Sequence, residues 1–482
     1  MTLDSFDGVA AILLLPAAGA VLLAFVPNYR VAAALNALAS CATLLCACTL
    51  LFTQYPTNKY FLVDDLNVVF IVLNTFVAFT TSVFSLSYIP HEVKTKRLTA
   101  LNLRFYHPMY QILTFAMNLA LVANNIGLMW VAIEIATLTT VAMVGIYRTS
   151  EAIEAAWKYF ILGSVGIALA LFGTILVYMA ARPTIGEGVD GMVWTILIQR
   201  VGEFDPALLN LAFVFLMLGY GTKVGLAPLH AWLPDAHAEG PTPISAVLSG
   251  LLLNVALYAV LRFKLLLDAN AKAIAPGPLM ATLGLVSLIF AAFMLYRRRD
   301  IKRLFAFSSI EHMGLIVFAF GMGGALANFA GLLHMTMHSL TKSGIFFVVG
   351  HIAQAKGTQR IADIRGLTVS HPWLGWALVV GVFAIAGLPP FGVFMSEFLV
   401  VTSTFARSPV LALLVVFGIL VAFGALVLRL QGMAFGAPSE GGVPSRASTL
   451  PILAHFGLVL LAGLYPPPAL VAWFQHVAAM LR

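Results

Sequence analysis

The chain has 482 residues, 61% of them hydrophobic and only 10% charged, with a mean hydropathy of +0.96. A soluble domain carries about 25% charged residues, so the composition excludes a water-soluble globular protein and leaves no room for a separate soluble domain. The formal charge of +7 is not read as a nucleic-acid signal, because the basic residues are sorted by loop.

Runs of about 20 apolar residues are the unit that crosses a bilayer. Fourteen are read along the chain, at 8–26, 31–53, 66–88, 108–123, 126–146, 158–180, 207–228, 241–265, 274–296, 303–324, 328–353, 373–396, 409–430 and 449–473. The expected fold class is therefore an all-α polytopic membrane protein. Asp4 and Asp7 precede the first run, where a signal peptide carries Lys or Arg, so that run is expected to remain as a helix. Cys41, Cys46 and Cys48, the three cysteines of the chain, all fall in the second run, with no CxxC pair. They read as small packing residues, since an iron–sulfur cluster usually takes four Cys ligands. No glycine-rich nucleotide motif follows a strand, and no cofactor or metal is expected in this chain. Residues 89–107 form a basic loop. Residues 192–198 are apolar but too short to span, and are expected to lie in the membrane interface. Residues 436–448, rich in Gly, Pro and Ser, read as a flexible loop.

Of the 27 Lys and Arg, 17 fall in one set of loops, including Lys94, Lys96, Arg97, Arg297, Arg298, Arg299, Lys302 and Arg303. Eight fall in the opposite set and the termini, among them Lys59, Arg262, Lys264 and Arg482. The positive-inside rule puts the richer set in the cytoplasm and both termini on the outer, periplasmic side of a bacterial or archaeal cytoplasmic membrane. The two left over, Lys223 and Lys342, fall inside predicted spans.

Two spans are interrupted. The seventh reads GYGTKVGLAP from Gly219, and the twelfth reads AGLPPFG from Ala386, followed by Ser396 and Glu397. The chain divides into an N-terminal three-helix segment (1–107), a five-helix unit (108–265), a second five-helix unit (266–430), and a C-terminal loop and helix (431–482). Five is odd, so the two units are expected to be inverted. Each carries its break in its fourth helix, the best sequence pointer to a transport site.

An ionisable side chain at mid-bilayer costs about 2.5–3.5 kcal/mol on insertion scales, so each is a functional candidate. Glu134 lies in the middle of the fifth span with nothing nearby in sequence to neutralise it, and Lys223 is the matching base in the same unit. Burial favours a neutral amine, and a nearby carboxylate restores its charge. A Glu–Lys pair of changing separation is thus a proton switch, whereas one of fixed separation is a static ion pair. His334, His338 and Lys342 are spaced by four on the eleventh span and so share one helix face, a stripe suited to passing protons. HxxxH is also a zinc spacing, but the stripe holds no carboxylate. Glu397, beyond the second break, is placed to take or release the proton at the far end, or is a carboxylate near an interface. Glu311 and His312, adjacent inside the tenth span, are hard to explain by packing. His230, Asp235, His237 and Glu239 cluster after the first break and read equally as proton access or as a polar loop.

The stretch KVGLAPLHAWLPDAH from Lys223, followed by GPTP from Gly240, resembles the signature of the antiporter-like subunits of respiratory complex I, Mrp-type sodium/proton antiporters and membrane-bound [NiFe] hydrogenases. SSIEHMG from Ser308 and HSLTKS from His338 are similar to the hydrogenase-4 component F branch. The resemblance covers nearly the whole chain. It implies that Glu134 and Lys223 form the input pair, that His338 and Lys342 are central relay positions, and that Glu397 is the terminal one. Relatives in complex I carry a Lys or His in the eighth span where this chain has Asn254, which holds no proton. The implied function is movement of H⁺, or Na⁺, in a hydrogenase- or formate hydrogenlyase-like complex, with the redox centres in partner subunits. The rival readings are a complex I, Mrp or inorganic-carbon-uptake subunit, and a passive membrane scaffold.

Overall fold

The computed structural model describes residues 7–53, 55–438 and 448–481. The flexible loop expected at 436–448 lies mostly outside them, as do Asp4, Arg446 and Arg482. Twenty α-helices run in chain order: α1 (Gly8–Ala24), α2 (Tyr29–Thr49), α3 (Asp65–Lys94), α4 (Ala100–Val122), α5 (Ile126–Val144), α6 (Ser150–Ile185), α7 (Trp194–Arg200), α8 (Pro206–Val224), α9 (Trp232–Glu239), α10 (Thr242–Val247), α11 (Leu253–Asp268), α12 (Gly277–Leu295), α13 (Ile301–Met322), α14 (Ala325–Lys356), α15 (Leu367–Ser370), α16 (Pro372–Ile385), α17 (Gly392–Phe405), α18 (Pro409–Phe435), α19 (Thr449–Leu464) and α20 (Pro468–Met480). Among the described residues the only β pairings are three isolated bridges. In a bilayer, helices satisfy every backbone group internally, and polar caps close the exposed ends. Asp64 caps α3 in a reciprocal box with Asn67, and Asn125, Thr149, Asp205 and Asp300 cap α5, α6, α8 and α13.

Each of the fourteen apolar runs coincides with a helix or a broken pair of helices. By length and composition, however, only nine described helices are apolar enough to cross a membrane, or ten if α19 and α20, bent by 81°, count as one. The shortfall has physical causes. The break between α16 and α17 leaves two helices of 14 residues each, and α14 carries His334, His338, Lys342 and His351, which lower its hydropathy.

Close packing of helix pairs rests on small residues. A Cβ on Gly219 of α8 would lie 2.4 Å from the Ala170 nitrogen of α6, and one on Gly284 of α12 would lie 2.6 Å from the Gly314 carbonyl of α13. Small residues let backbones approach where no water drives apolar association. Residues 242–264 are all buried and α13 nearly so, which makes α10, α11, α13 and α14 the inner core. Within it a π-helical turn, Leu248–Leu252, joins α10 to α11, the kind of local widening often found at functional positions.

The sorting of basic residues by loop needs three corrections. Arg262, Lys264 and Lys302 are buried, not loop-exposed. Lys302 Nζ donates to the carbonyls of Ala238 (3.1 Å) and Gly240 (2.6 Å). Lys264 Nζ donates to Asp268 and to the Leu481 carbonyl. Arg262 pairs with Asp64, Nη1 to Oδ2 at 2.7 Å. Hydropathy sums do not register such caps and buried pairs at helix ends. The apolar segment 192–198 becomes α7, held by Trp194, whose Nε1 donates to the Arg262 carbonyl at 3.0 Å.

Candidate ion-transfer site

Both breaks open at a glycine in the left-handed region, Gly225 (φ +83°) and Gly387 (φ +68°). In the first, the freed groups are taken up internally: Trp232 Nε1 donates to the Thr222 carbonyl at 2.8 Å, and the Ala227 N–H donates to Ser287 Oγ at 2.9 Å. Lys223 sits in the last turn of α8, at the edge of this break. Its ammonium is 1% exposed and faces the Tyr159 ring, 5.4 Å from the centroid. It also faces Gly163 of α6, where any Cβ would be 2.7 Å away. Tyr159 is fixed in turn by stacking on Trp232 (4.2 Å) and by a 2.8 Å hydrogen bond with Thr140 of α5.

Glu134 is on α5, half-buried rather than enclosed. Among the described residues no ion pair joins it to Lys223, and neither Glu134 Oε2 nor Lys223 Nζ has a hydrogen-bond partner within the chain. The expected input pair is thus two neighbouring charges held apart, with Lys223 in an aromatic and glycine-lined niche.

The second unit is different. Glu311 and His312 of α13, His334 and His338 of α14, and Ser396 and Glu397 of α17 converge. His312 Nδ1 is 3.0 Å from His334 Nε2 and 4.0 Å from Glu397 Oε1. His312 Nε2 lies 3.2 Å from Glu311 Oε2. The His338 ring is 5.5 Å from that of His312. Lys342 Nζ donates to the Phe305 carbonyl at 3.0 Å. Glu397 reaches the group because Gly387, across the second break, has no side chain: a Cβ there would be 2.0 Å from Glu397 Oε2.

Counting protons fixes the polarity of this run. The Ser396 hydroxyl donates to the Val393 carbonyl at 2.8 Å, so it accepts from His334 Nδ1 at 2.8 Å. His334 Nδ1 therefore carries hydrogen, and its Nε2, bare in the neutral ring, accepts from His312 Nδ1. His312 Nε2 then faces Glu311 with no hydrogen of its own unless the ring is charged. The Glu311 carboxylate is 3.2 Å from that nitrogen but outside hydrogen-bond geometry.

Between the units lies a neutral bridge. Asn254 Nδ2 donates to Ser339 Oγ and to the Gly250 carbonyl (3.1 Å). Ser339 directly follows His338 in α14, and Ser249 shares a 2.7 Å hydrogen bond with Ser309. Among the described residues, no ionisable side chain is hydrogen-bonded to Asn254.

The four polar residues after the first break part company. His237 is fully buried, stacked on Phe346 at 4.8 Å, with neither ring nitrogen hydrogen-bonded within the chain. His230 packs against Phe290. Asp235 pairs with Lys158 (3.2 Å) and Arg303 (3.1 Å), and Glu239 with Arg303 (3.3 Å). So His237 belongs to the interior, and the two carboxylates form an ion network at the surface. The sequence reading missed His455, buried between Thr80 Oγ1 (2.8 Å) and the Leu340 carbonyl (2.7 Å). It also missed Glu92, fully buried, which accepts from Tyr147 and Gln354. His455 lies inside the fourteenth apolar run, where its being ionisable would have marked it, whereas Glu92 lies past the end of the third run, in the last turn-and-a-half of α3.

Comparison with known proteins agrees with this architecture. Residues 123–423 match the NADH:quinone oxidoreductase/Mrp antiporter transmembrane family. The chain is 62% identical over 473 residues to the hydrogenase-4 component F homolog of Methylacidiphilum infernorum (isolate V4), covering 98% of this chain and 99% of that one. It is 31% identical over 329 residues to NADH-quinone oxidoreductase subunit M of Escherichia coli (strain K12), covering 66% of this chain and 63% of that protein. Among solved structures, a chain of the archaeal membrane-bound sulfane sulfur reductase superposes with a TM-score of 0.87 at 23% identity, covering 98% of this chain and 97% of that one. A chain of the Mrp complex from Dietzia sp. DQ12-45-1b superposes with 0.82 at 18%, with the same coverage. The chain is a multi-pass membrane protein and belongs to the NADH:quinone oxidoreductase/Mrp antiporter transmembrane family.

Proposed function

We propose that this chain translocates protons as a membrane subunit of an oxidoreductase complex of the hydrogenase-4 kind, with the redox centres in partner subunits. The observation that carries this reading is the buried run Ser396–His334–His312, with Glu311 and Glu397 beside it inside the helix bundle. Imidazole and carboxyl groups within one or two hydrogen bonds of each other pass protons. A hard cation such as Na⁺ asks instead for a cage of oxygens, which this run of nitrogens does not resemble, so H⁺ is favoured over Na⁺. Glu134 and Lys223 form the input, sensing a charge or movement in a neighbouring subunit. The bridge through Asn254 and Ser339 connects the two units by reorientation or water, since Asn254 cannot itself carry a proton. The wider basic loops face the cytoplasm and both termini face outward. The relative at 62% identity favours a hydrogenase-type assembly over a complex I or Mrp one.

The test uses the intact complex purified from the native host. Nickel content and co-purifying subunits decide the assembly. Reconstituted in sodium-free liposomes, the complex is expected to acidify or alkalinise the lumen during electron transfer, and a protonophore is expected to collapse the signal. Electron transfer with no ion movement would make the chain a scaffold. A signal that appears only with Na⁺ would replace the proton.

A further inference from the structure

His312, His334 and Glu397 present one nitrogen or oxygen each, all within 4.8 Å of one another, from three different helices. The sequence argued against a metal because the α14 stripe has no carboxylate. The fold supplies one from α17. We propose that these three residues bind a divalent transition-metal ion of the Zn²⁺ class, which takes the place of the proton between the two imidazoles. Zn²⁺ takes N ligands at about 2.0–2.1 Å and carboxylate oxygens at about 2.0–2.2 Å, with tetrahedral angles that set ligand atoms roughly 3.4 Å apart. The present separations, 3.0 Å from His312 Nδ1 to His334 Nε2 and 4.0 Å from His312 Nδ1 to Glu397 Oε1, bracket that value. A turn of the Glu397 carboxylate closes the difference.

The surroundings suit a metal as well. A ligating His needs its other nitrogen oriented by a partner. His334 Nδ1 is held by Ser396, which leaves Nε2 as the ligand atom, and His312 Nε2 lies 3.2 Å from the Glu311 carboxylate. Three protein ligands leave a fourth position open. The site adjoins the second break, where Pro389 and Pro390 are exposed and the Glu397 carboxylate sits against Gly387. The site itself stands on geometry. That filling it stops ion transfer rests on the relay proposed above.

The full-length protein in detergent is titrated with Co²⁺, followed by its d–d absorption, and Zn²⁺ is used to displace it. One ion per chain is expected, with X-ray absorption at the zinc edge giving two imidazoles and one carboxylate. Affinity should fall at least tenfold in His334→Gln and in Glu397→Gln. Ser396→Ala keeps all three ligands and should lose about tenfold; its folding does not depend on removing a buried ionisable group. The exposed-histidine variant His476→Gln should bind as the parent does. A Co²⁺ spectrum and affinity unchanged in His334→Gln, or a zinc edge without imidazoles, overturns the site. Zn²⁺ that fills the site and leaves proton uptake by the reconstituted complex unchanged overturns the inhibition. A protein that binds Zn²⁺ as described while the complex moves no ions contradicts the proposed function and leaves the metal site standing.

Discussion

The polar sites at the two helix breaks handle buried charge in opposite ways. In the first, Glu134 and Lys223 are kept apart, and Lys223 Nζ rests against Gly163 and the Tyr159 ring with no hydrogen-bond partner within the chain. In the second, His312 and His334 are in hydrogen-bond contact at 3.0 Å, with the Glu311 and Glu397 carboxylates 3.2 and 4.0 Å from the His312 ring nitrogens. An unpartnered buried charge is costly and responds to anything that changes its field. A connected run is stable and conductive. On the function proposed above, the difference is a division of labour: a gate at Lys223, whose charge state is easily moved, and a wire through His312 and His334.

The comparison is broken most directly at the gate. Lys223→Met keeps chain length and apolar volume while removing the charge. Coupled proton translocation by the reconstituted complex should fall to background, while assembly, electron-transfer activity without a gradient, and thermal stability are kept or slightly improved, because an unpaired buried amine is replaced by a group that suits its niche. Full coupled translocation in this variant would return the chain to a scaffold.

At the wire, His334→Gln retains a hydrogen-bonding side chain but cannot take up and release a proton. Proton transfer by a positioned side chain contributes about 10²–10⁴-fold, so the translocation rate should drop roughly a hundredfold. A smaller loss belongs to Ser396→Ala, which leaves every ionisable group in place and frees the His334 tautomer. One hydrogen bond is worth about 1 kcal/mol, equivalent to roughly fivefold in rate. If Ser396→Ala is as damaging as His334→Gln, the run is a structural network and not a wire.

Much of this was legible in the sequence. The two breaks stand out from Gly and Pro punctuation, and each intramembrane charge announces itself by its cost in an apolar run. The α14 stripe follows from spacing by four. What the sequence did not disclose is which stripe meets which. That Glu397 closes on His312 and His334 depends on Gly387, ten residues away through a break, and on the α13–α14–α17 packing. That Glu134 and Lys223 stay apart is likewise a matter of where α6 inserts Gly163 and Tyr159. Arg262 and Lys302 were assigned to loops because hydropathy has no means of distinguishing a solvated end of a helix from one covered by a neighbour.

The smallest effect on transport is expected where a buried charge lies off the line. Asp64 caps α3, and Arg262 of α11 answers it with Nη2 donating to Oδ1 at 2.8 Å and Nη1 at 2.7 Å from Oδ2. Arg262 Nε also donates to Tyr258, and its guanidinium lies 4.6 Å from the Trp194 ring centroid. The pair ties α3, α7 and α11 together. Burial alone would push the Asp64 carboxyl up, but the charge and hydrogen bond of Arg262 hold it below its ordinary value of 3.8. A depressed carboxyl contributes stability above that ordinary value, and the contribution is lost as pH falls through the folded-state one. Asp64→Asn leaves Arg262 buried without a counter-charge and should cost about 3 kcal/mol, read as a lower melting temperature and a flattened acid limb of the stability profile. Translocation per assembled complex should not change. If it falls in step with Lys223→Met, the line of transfer runs through α3 and α11 as well, and the division between gate and wire is drawn in the wrong place.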